Sequence, residues 1–416
     1  MVKRRIVELV VVGAAASCNV TKAAPTTGGV NLDGGAEGGT ESGAEGGAAW
    51  CPAALVVANS DFTSTNISVL SPAGSVLSES IISSASAPPG LTTALSGDVV
   101  FPLEPTPGVI VLIDRFPNSV VTSVDPSTAM VMKQLPVGTG FAANPHDYLA
   151  VSATKAYVSR YESNPHAGKE PNDDGGDLLI IDPTASTITG RVPFATEGTL
   201  LPRPDRMIRV GDEVWVSLHR FDADFTMAGD ARFVGVSTAD DSIAWSLDLL
   251  GVASCGGIAI APAGDRVAVS CSGVLGKGGT DRSAIVLLDA TAHPPREIRR
   301  FEAASDLGAP LGSTVAFANA GLLVGVALGD MAAKRNDVAF TLDLESGAVS
   351  KLLDAGAAFA LGDVRCLPGC GDVCYLADAQ ANALRAWKVN GTTLEPQASV
   401  TVDPTIGLPP RAIGAL

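Results

Sequence analysis

Residues 178–183 read Leu-Leu-Ile-Ile-Asp-Pro, a short β-type run that ends at a turn residue. Runs of this kind recur six more times along the chain. Asp, Asn and Ser suit the turn position because their side chains can bond the backbone two residues further on. The turn residues, 47 to 57 positions apart, are Ser71, Asp125, Asp182, Ser237, Asp289, Asp343 and Asn390. The sequence therefore contains seven copies of one β-rich unit.

Each copy holds further strand-like runs. A second run precedes the turn-ending run in all seven copies, for example Val214-Trp-Val-Ser217 and Val267-Ala-Val-Ser270. Another run precedes most of these, as in Asp205-Arg-Met-Ile208. Four strands in a repeat of about 40 to 50 residues are typical of a β-propeller blade. We therefore predict an all-β, seven-bladed β-propeller over residues 51–416.

The two ends of the repeat region complement each other. The first copy lacks an innermost strand, because Ala53 already opens its second strand. The chain ends with Pro409-Pro-Arg-Ala-Ile-Gly-Ala-Leu416, which has the character of an innermost strand with nothing after it. We expect this C-terminal strand to close blade one, since the pairing removes a free sheet edge. A frayed tail is the alternative.

The repeat also resembles a known family. Val56-Val-Ala-Asn-Ser60, followed by Asn66-Ile-Ser-Val-Leu-Ser71, looks like the YVTN-type propeller repeat of bacterial and archaeal surface proteins. Seven-bladed lactonase-type propellers share this pattern. The resemblance covers about residues 50–416 and implies the propeller architecture. It does not choose between a binder and an enzyme, because such propellers host both.

The first 50 residues have the layout of an export segment. A basic start (Lys3, Arg4 and Arg5) precedes a short apolar stretch, and Ala15-Ala16-Ser17-Cys18 resembles a bacterial lipobox. We predict a signal peptide over residues 1–18 with lipidation of Cys18, then a flexible Gly-, Ser- and Glu-rich linker over residues 19–50. Plain secretion and a wrongly assigned start are the alternatives. The expected location is the bacterial cell envelope, lipid-anchored at the outer membrane or periplasm, or secreted.

Charge narrows the expected partners. The net charge of −16 argues against nucleic acid and against an anionic membrane surface, since both need clustered Lys and Arg. No apolar run reaches the roughly 20 residues of a spanning helix. We expect a monomer that meets the membrane through its lipid anchor and binds an envelope protein or a small molecule.

Six cysteines remain after Cys18, an even number that suits disulfides outside the cytoplasm. Two pairs flank the first hairpins of blades five and seven, and a third would join blade one to blade seven. The predicted disulfides are Cys255–Cys271, Cys366–Cys374 and Cys51–Cys370. A metal site and free thiols are the alternatives.

In a propeller, the loops that lead into the innermost strands and the loops between strands two and three share one face, here called the upper face. Four blades place Asp at the start of the innermost strand: Asp98, Asp147, Asp205 and Asp363. A ring of carboxylates could hold Ca²⁺ or another divalent cation. The alternative is that each Asp bonds backbone N–H groups of the neighbouring blade.

Histidines mark the same face. His146, His166 and His219 fall on blades three and four, beside acidic loops at residues 161–176 and 219–232. Innermost strands converge on one axis, so their first residues share one mouth. The expected ligand-binding residues there are His146, Asp147, Asp205, Arg206, His219, Asp363 and Arg411.

Two classes of function fit these features. One is a binding or scaffold module held at the cell envelope. The other is a propeller enzyme, a metal-assisted lactonase or lyase, that works from the His and Asp face of blades three and four. No Gly-x-Ser-x-Gly or His-Glu-x-x-His arrangement selects one reaction.

Overall fold

Seven four-stranded antiparallel sheets form the ring, in a computed structural model that describes residues 29–30, 51–274 and 280–416. The predicted signal peptide (residues 1–18) and most of the predicted linker (residues 19–50) lie outside these residues. The first blade consists of β1 (Leu55–Ser60), β2 (Thr65–Leu70), β3 (Val76–Ser83) and the C-terminal β28 (Pro410–Ala415). The second consists of β4 (Val99–Val100), β5 (Ile110–Asp114), β6 (Val120–Val124) and β7 (Val131–Pro136).

Blades three to five follow the same plan from the axis outward. Blade three consists of β8 (Pro145–Ser152), β9 (Lys155–Ser163), β10 (Gly175–Asp182) and β11 (Thr187–Pro193). Blade four consists of β12 (Pro204–Val210), β13 (Glu213–Leu218), β14 (Ala231–Ser237) and β15 (Ile243–Leu249). Blade five consists of β16 (Gly257–Ile260), β17 (Arg266–Ser272), β18 (Ser283–Asp289) and β19 (Arg296–Phe301).

A five-residue helix, α1 (Ala303–Leu307), connects blades five and six and ends at Gly308, whose backbone is left-handed. Blade six consists of β20 (Leu311–Asn319), β21 (Leu322–Ala327), β22 (Val338–Asp343) and β23 (Val349–Asp354). Blade seven consists of β24 (Leu361–Leu367), β25 (Val373–Asp378), β26 (Ala383–Asn390) and β27 (Thr393–Pro396). No helix in the described ranges is long and apolar enough to cross a membrane.

The predicted ring closure is confirmed. β28 pairs antiparallel with β1, from Leu55 opposite Ala415 to Ala58 opposite Ala412. The backbone of Leu416 continues the pairing, donating to the carbonyl of Ala54. The last strand of the chain is therefore the innermost strand of the first blade.

The core lies between neighbouring blades. Second strands such as β1 and β21 are buried at every position, while outer strands such as β15 and β19 expose most of theirs. Apolar side chains from adjacent blades interdigitate, as where Leu149 of β8 shares a cluster with Met207 of β12 and Val216 of β13. Each fully buried Leu or Val side chain contributes about 1.5–3 kcal/mol. Blade-to-blade packing therefore fixes the positions of the loops on the upper face.

All three predicted disulfides are present. Cys255–Cys271 and Cys366–Cys374 each lie within one blade, with Cα atoms 3.8 and 3.9 Å apart. Cys51–Cys370 spans 319 residues of sequence and joins the start of blade one to a hairpin of blade seven. Three disulfides indicate folding in an oxidising compartment.

Blade two departs from the expected strand pattern. Its innermost strand, β4, has only two residues, and the chain leaves the sheet at Phe101. Residues 101–105 (Phe101-Pro-Leu-Glu-Pro105), here called the channel segment, enter the central channel instead. The backbone N–H of Leu103 donates to Asp147 of blade three, and Arg206 of blade four donates to the carbonyl of Phe101.

Two residues of the predicted linker are described. Val30 is buried against the apolar cluster of blades one and two, and its N–H donates to the carbonyl of Pro126. Pro126 lies in the turn between β6 and β7, opposite the upper face. We call that opposite side, which carries the hairpins between first and second strands, the lower face.

Candidate functional site on the upper face

The site forms where three upper-face elements meet. His146 is the second residue of β8, Asp205 is the second residue of β12, and His219 directly follows β13. Innermost strands of neighbouring blades start side by side around the axis. Equivalent positions of blades three and four are therefore adjacent, although the residues lie 59 positions apart in the chain.

Asp205 lies between the two imidazoles. Nδ1 of His146 is 2.6 Å from Oδ1 of Asp205, and Nε2 of His219 is 2.9 Å from Oδ2. The second contact lacks the alignment of a normal hydrogen bond, and Nε2 of His219 is buried without another partner among the described residues. The three side chains are 15%, 8% and 9% exposed, in the order His146, Asp205, His219. The cluster is thus enclosed, with His146 nearest to solvent.

Aromatic and cationic groups surround this cluster. The ring of Tyr161 stacks on His146 with centroids 4.3 Å apart, and its hydroxyl lies 3.2 Å from Nδ1 of His219. Arg203 lies over Tyr161 and over Phe225, and it donates two 2.8 Å hydrogen bonds to the carboxylate of Glu162. Because Phe225 is 38% exposed, the cluster has an apolar rim at the surface.

Burial and charge decide the protonation states. Burial opposes ionisation of Asp205, but His146 and His219 beside it hold the pKa of that carboxyl well below its usual range. Burial also lowers the pKa of His146, outweighing the attraction of Asp205. Near neutral pH, Asp205 is therefore an anion and His146 is neutral. The short contact assigns the His146 proton to Nδ1 and leaves a lone pair on Nε2.

Gly256 makes room for this arrangement. A Cβ atom at Gly256 would lie 2.3 Å from Oδ2 of Asp205 and 3.1 Å from Nε2 of His219. The backbone that leads into β16 therefore packs directly on the Asp205–His219 contact. Sequence reasoning missed Gly256, Tyr161 and Arg203, because contacts across the blade three–four boundary depend on how the blades pack.

The other predicted Asp residues have protein partners. Asp147 accepts hydrogen bonds from the backbone of Leu103, Tyr148 and Met207, and burial raises its pKa to about 6. Asp363 accepts from the backbone N–H of Ile413. In these two cases the carboxylate bonds the backbone of another blade, which is the alternative role considered from the sequence.

Asp98 forms an ion pair with Arg115. No three His, Cys, Asp or Glu side chains within the described residues form a group suited to a metal ion. The Asp98, Asp147, Asp205 and Asp363 set remains a prediction as a cation site.

The remaining predicted residues are dispersed over the upper face. Arg206 lines the channel, with Nη1 3.7 Å from Oδ1 of Asp147. Arg411 lies over the ring of Phe62 and donates to the carbonyl of Phe359. His166 is exposed on the loop between β9 and β10 and does not join the cluster. Within the predicted set, the side chains of His146, Asp205 and His219 form one cluster, and Arg206 contacts this cluster through the backbone carbonyl of His146.

No protein-family model matches the chain, and no curated protein matches it. Solved structures do match in fold. A candidate 6-phosphogluconolactonase of Bacteroides fragilis is 9% identical with a TM-score of 0.57, covering 87% of this chain and 97% of its own. The periplasmic gluconolactonase of Pseudomonas aeruginosa is 12% identical with a TM-score of 0.55, covering 87% and 98%.

A candidate 6-phosphogluconolactonase of Bacteroides uniformis, 12% identical with a TM-score of 0.52, covers 87% of this chain and 99% of its own. The chain is a seven-bladed β-propeller structurally like lactonase propellers. Identities this low show the fold alone, so function is argued from the site.

Proposed function

We propose that the protein is an extracytoplasmic propeller that binds a small molecule at the His146–Asp205–His219 cluster. The observation that carries this proposal is the enclosed carboxylate between two imidazoles on the upper face. Such polar groups are costly to bury, and buried charges in proteins are paired or serve a site. Nε2 of His146 is left as an acceptor, and the ring of Tyr161 stacks on the same imidazole. A ligand that donates an O–H or N–H and carries an apolar or ring portion therefore fits best.

The orientation of the site relative to the membrane follows from the predicted lipid anchor and the position of Cys51. Lipidation of Cys18 would tether the propeller through residues 19–50, and Cys51 lies on the lower face, bonded to a hairpin tip there. An anchor leading to this side would turn the upper face away from the membrane. In this proposal, the cluster faces the periplasmic or extracellular medium, where its ligand is found.

A second candidate function is hydrolysis of a lactone or a related ester. It is favoured by the His146–Asp205 contact, because a neutral imidazole held by a carboxylate is a competent general base. Nε2 of His146 would accept a proton from water while the water oxygen bonds to the carbonyl carbon. Asp205 would stabilise the resulting imidazolium. The ring oxygen would then leave as an alcohol after receiving that proton.

Ligand binding is tested by thermal unfolding and calorimetry with a panel of monosaccharides, sugar lactones and amino acids. A ligand in about hundredfold excess over its Kd should stabilise the fold by about 2.7 kcal/mol. We expect His146→Gln and Asp205→Asn to lose this stabilisation. His293→Gln is the matched control, because His293 lies in the turn between β18 and β19 on the lower face. A ligand that stabilises wild type and His146→Gln equally would contradict the proposal.

Acid release from the lactones separates the two candidates. Turnover that falls by about 10²–10⁴-fold in His146→Gln and persists in His293→Gln would establish the hydrolase. A ligand that binds without being hydrolysed would support the binding module and exclude the hydrolase for that ligand.

A further inference from the structure

The central channel contains a cavity that the upper-face cluster does not use. It has a volume of about 360 Å³ and runs beside the innermost strands of blades four to seven and one. Pro262 and Pro368 of the lower hairpins line it, and so does Gly256, which packs on Asp205. The channel segment closes the remaining side. A volume of this order is typical of small-molecule sites.

Arg365, in the middle of β24, presents a guanidinium to this cavity without a carboxylate partner. Its hydrogen bonds go to the carbonyl oxygens of Leu103 and Ile413, and they are long, at 3.3 to 3.4 Å. Within the described residues, no carboxylate oxygen lies within 4.0 Å of it. Burial lowers the pKa of Arg365, so the protein disfavours its charge, and an anion in the cavity would stabilise it.

Arg206 of β12 lines the same cavity. Its Nη1 donates to the carbonyl oxygens of Phe101 and His146 and lies 3.7 Å from Oδ1 of Asp147. Its Nε and Nη2 make no hydrogen bond among the described residues. Arg206 lowers the pKa of Arg365, whereas Asp147 and Asp363 oppose the effect of burial on the pKa of both guanidinium groups. Asp205 also acts on Arg206, so three carboxylates already offset the two guanidinium charges, and the cavity suits a ligand with one negative charge better than a ligand with two.

The rest of the wall is mainly apolar. Ile208, Ile258, Val315 and Val364 line the cavity from four different blades. Apolar walls with a few polar groups at one place select a ligand with a polar end and an apolar body. A guanidinium matches a carboxylate in planar, bidentate geometry.

We infer that the channel cavity binds a small organic monocarboxylate with an apolar body, its carboxylate held by Arg365 and Arg206. This site goes beyond the proposed function, because it uses neither His146 nor His219. The ligand would lie between the channel segment and blades five to seven.

Glu104 of the channel segment gives the site a pH dependence. It lines the cavity, and its carboxylate accepts the backbone N–H of Arg209. Burial raises the pKa of Glu104 to about 7, with Asp147 adding to the shift and Arg209 opposing it. The other charged groups lining the cavity are Arg206, Arg365 and Asp363. As pH rises through this pKa, Glu104 gains a negative charge that repels the bound carboxylate. Affinity should therefore fall from about pH 6 to about pH 8.

The test measures ligand binding to the full propeller by calorimetry. Hexanoate and benzoate are the probes, and hexanamide is the uncharged control. We expect saturable binding of a carboxylate, and at least about tenfold weaker binding in Arg365→Gln. His146→Gln should bind the probe as the wild type does, which separates this site from the upper-face cluster. If neither carboxylate binds, or if Arg365→Gln binds it unchanged, the inference is overturned.

Glu104→Gln supplies a second, independent readout should Arg365→Gln fail to fold. The amide retains the hydrogen-bond acceptor but cannot ionise. Wild-type affinity should weaken about threefold or more between about pH 6 and about pH 8. Glu104→Gln should reduce that change and leave only the contribution of Asp147, whose pKa is about 6 and which lies beside Arg206. A pH dependence as large in Glu104→Gln as in the wild type would contradict the placement of the bound carboxylate beside Glu104.

Discussion

Gly256 shows how much a single missing side chain can determine. Replacing it by Ala would drive a Cβ atom into the Asp205 carboxylate, which is fixed by His146. We expect Gly256→Ala to cost about 1–3 kcal/mol of unfolding free energy, the range for overpacking a filled site. Gly321→Ala is the matched control, because its Cβ would meet nothing closer than 3.8 Å. Chemical denaturation of both variants measures the difference in unfolding free energy. Equal midpoints would contradict the prediction, because Asp205 and His219 would then shift to admit the added methyl group with no loss of stability.

At the scale of single residues, the sequence predicted part of the site. Asp205 and His146 could be placed on the upper face because each stands at the start of an innermost strand. Arg365 could not be singled out, since nothing in the repeat marks it from other strand residues. Its importance comes from the channel segment, whose path depends on three-dimensional contacts with Asp147 and Arg206.

At the scale of elements, the three disulfides are not equivalent. Cys51–Cys370 closes a 319-residue separation, whereas Cys366–Cys374 closes one of 8 residues. The chain-entropy treatment gives about 5–6 kcal/mol for the long loop and about 2–3 kcal/mol for the short one. We expect the Cys51→Ala/Cys370→Ala double variant to lose more stability than Cys366→Ala/Cys374→Ala. Denaturation curves without reductant compare them, and the reverse order would mean that the ring seam is already fixed by β28.

The strand pattern predicted six innermost strands well and blade two poorly. β4 ends after Val100 because Pro102 follows closely, and a proline both removes an N–H donor and restricts the residue before it. Pro105 and Pro107 keep the next residues out of a ladder. The prolines were visible in the sequence, but the direction in which the chain turned was not.

For the whole molecule, closure by β28 is the decisive contact. Deleting residues 410–416 would leave β1 with an unpaired edge and remove Ile413 and Leu416 from the core. We expect a lower melting temperature and association of the truncated chains through the exposed edge. Calorimetry and light scattering measure the two effects. A truncated protein that stays monomeric with an unchanged melting temperature would contradict the role of this strand.

The pairing of β28 with β1 also sets an order of events during biosynthesis. A chain is synthesised from its N-terminus, so β1 emerges with the first blade and β28 emerges last. Blades two to seven can each assemble from consecutive strands as they appear. Blade one stays incomplete, with one edge of β1 unpaired, until residues 410–415 are released. The first blade to be synthesised is therefore the last to be completed, and a chain arrested anywhere before residue 410 exposes the same unpaired strand.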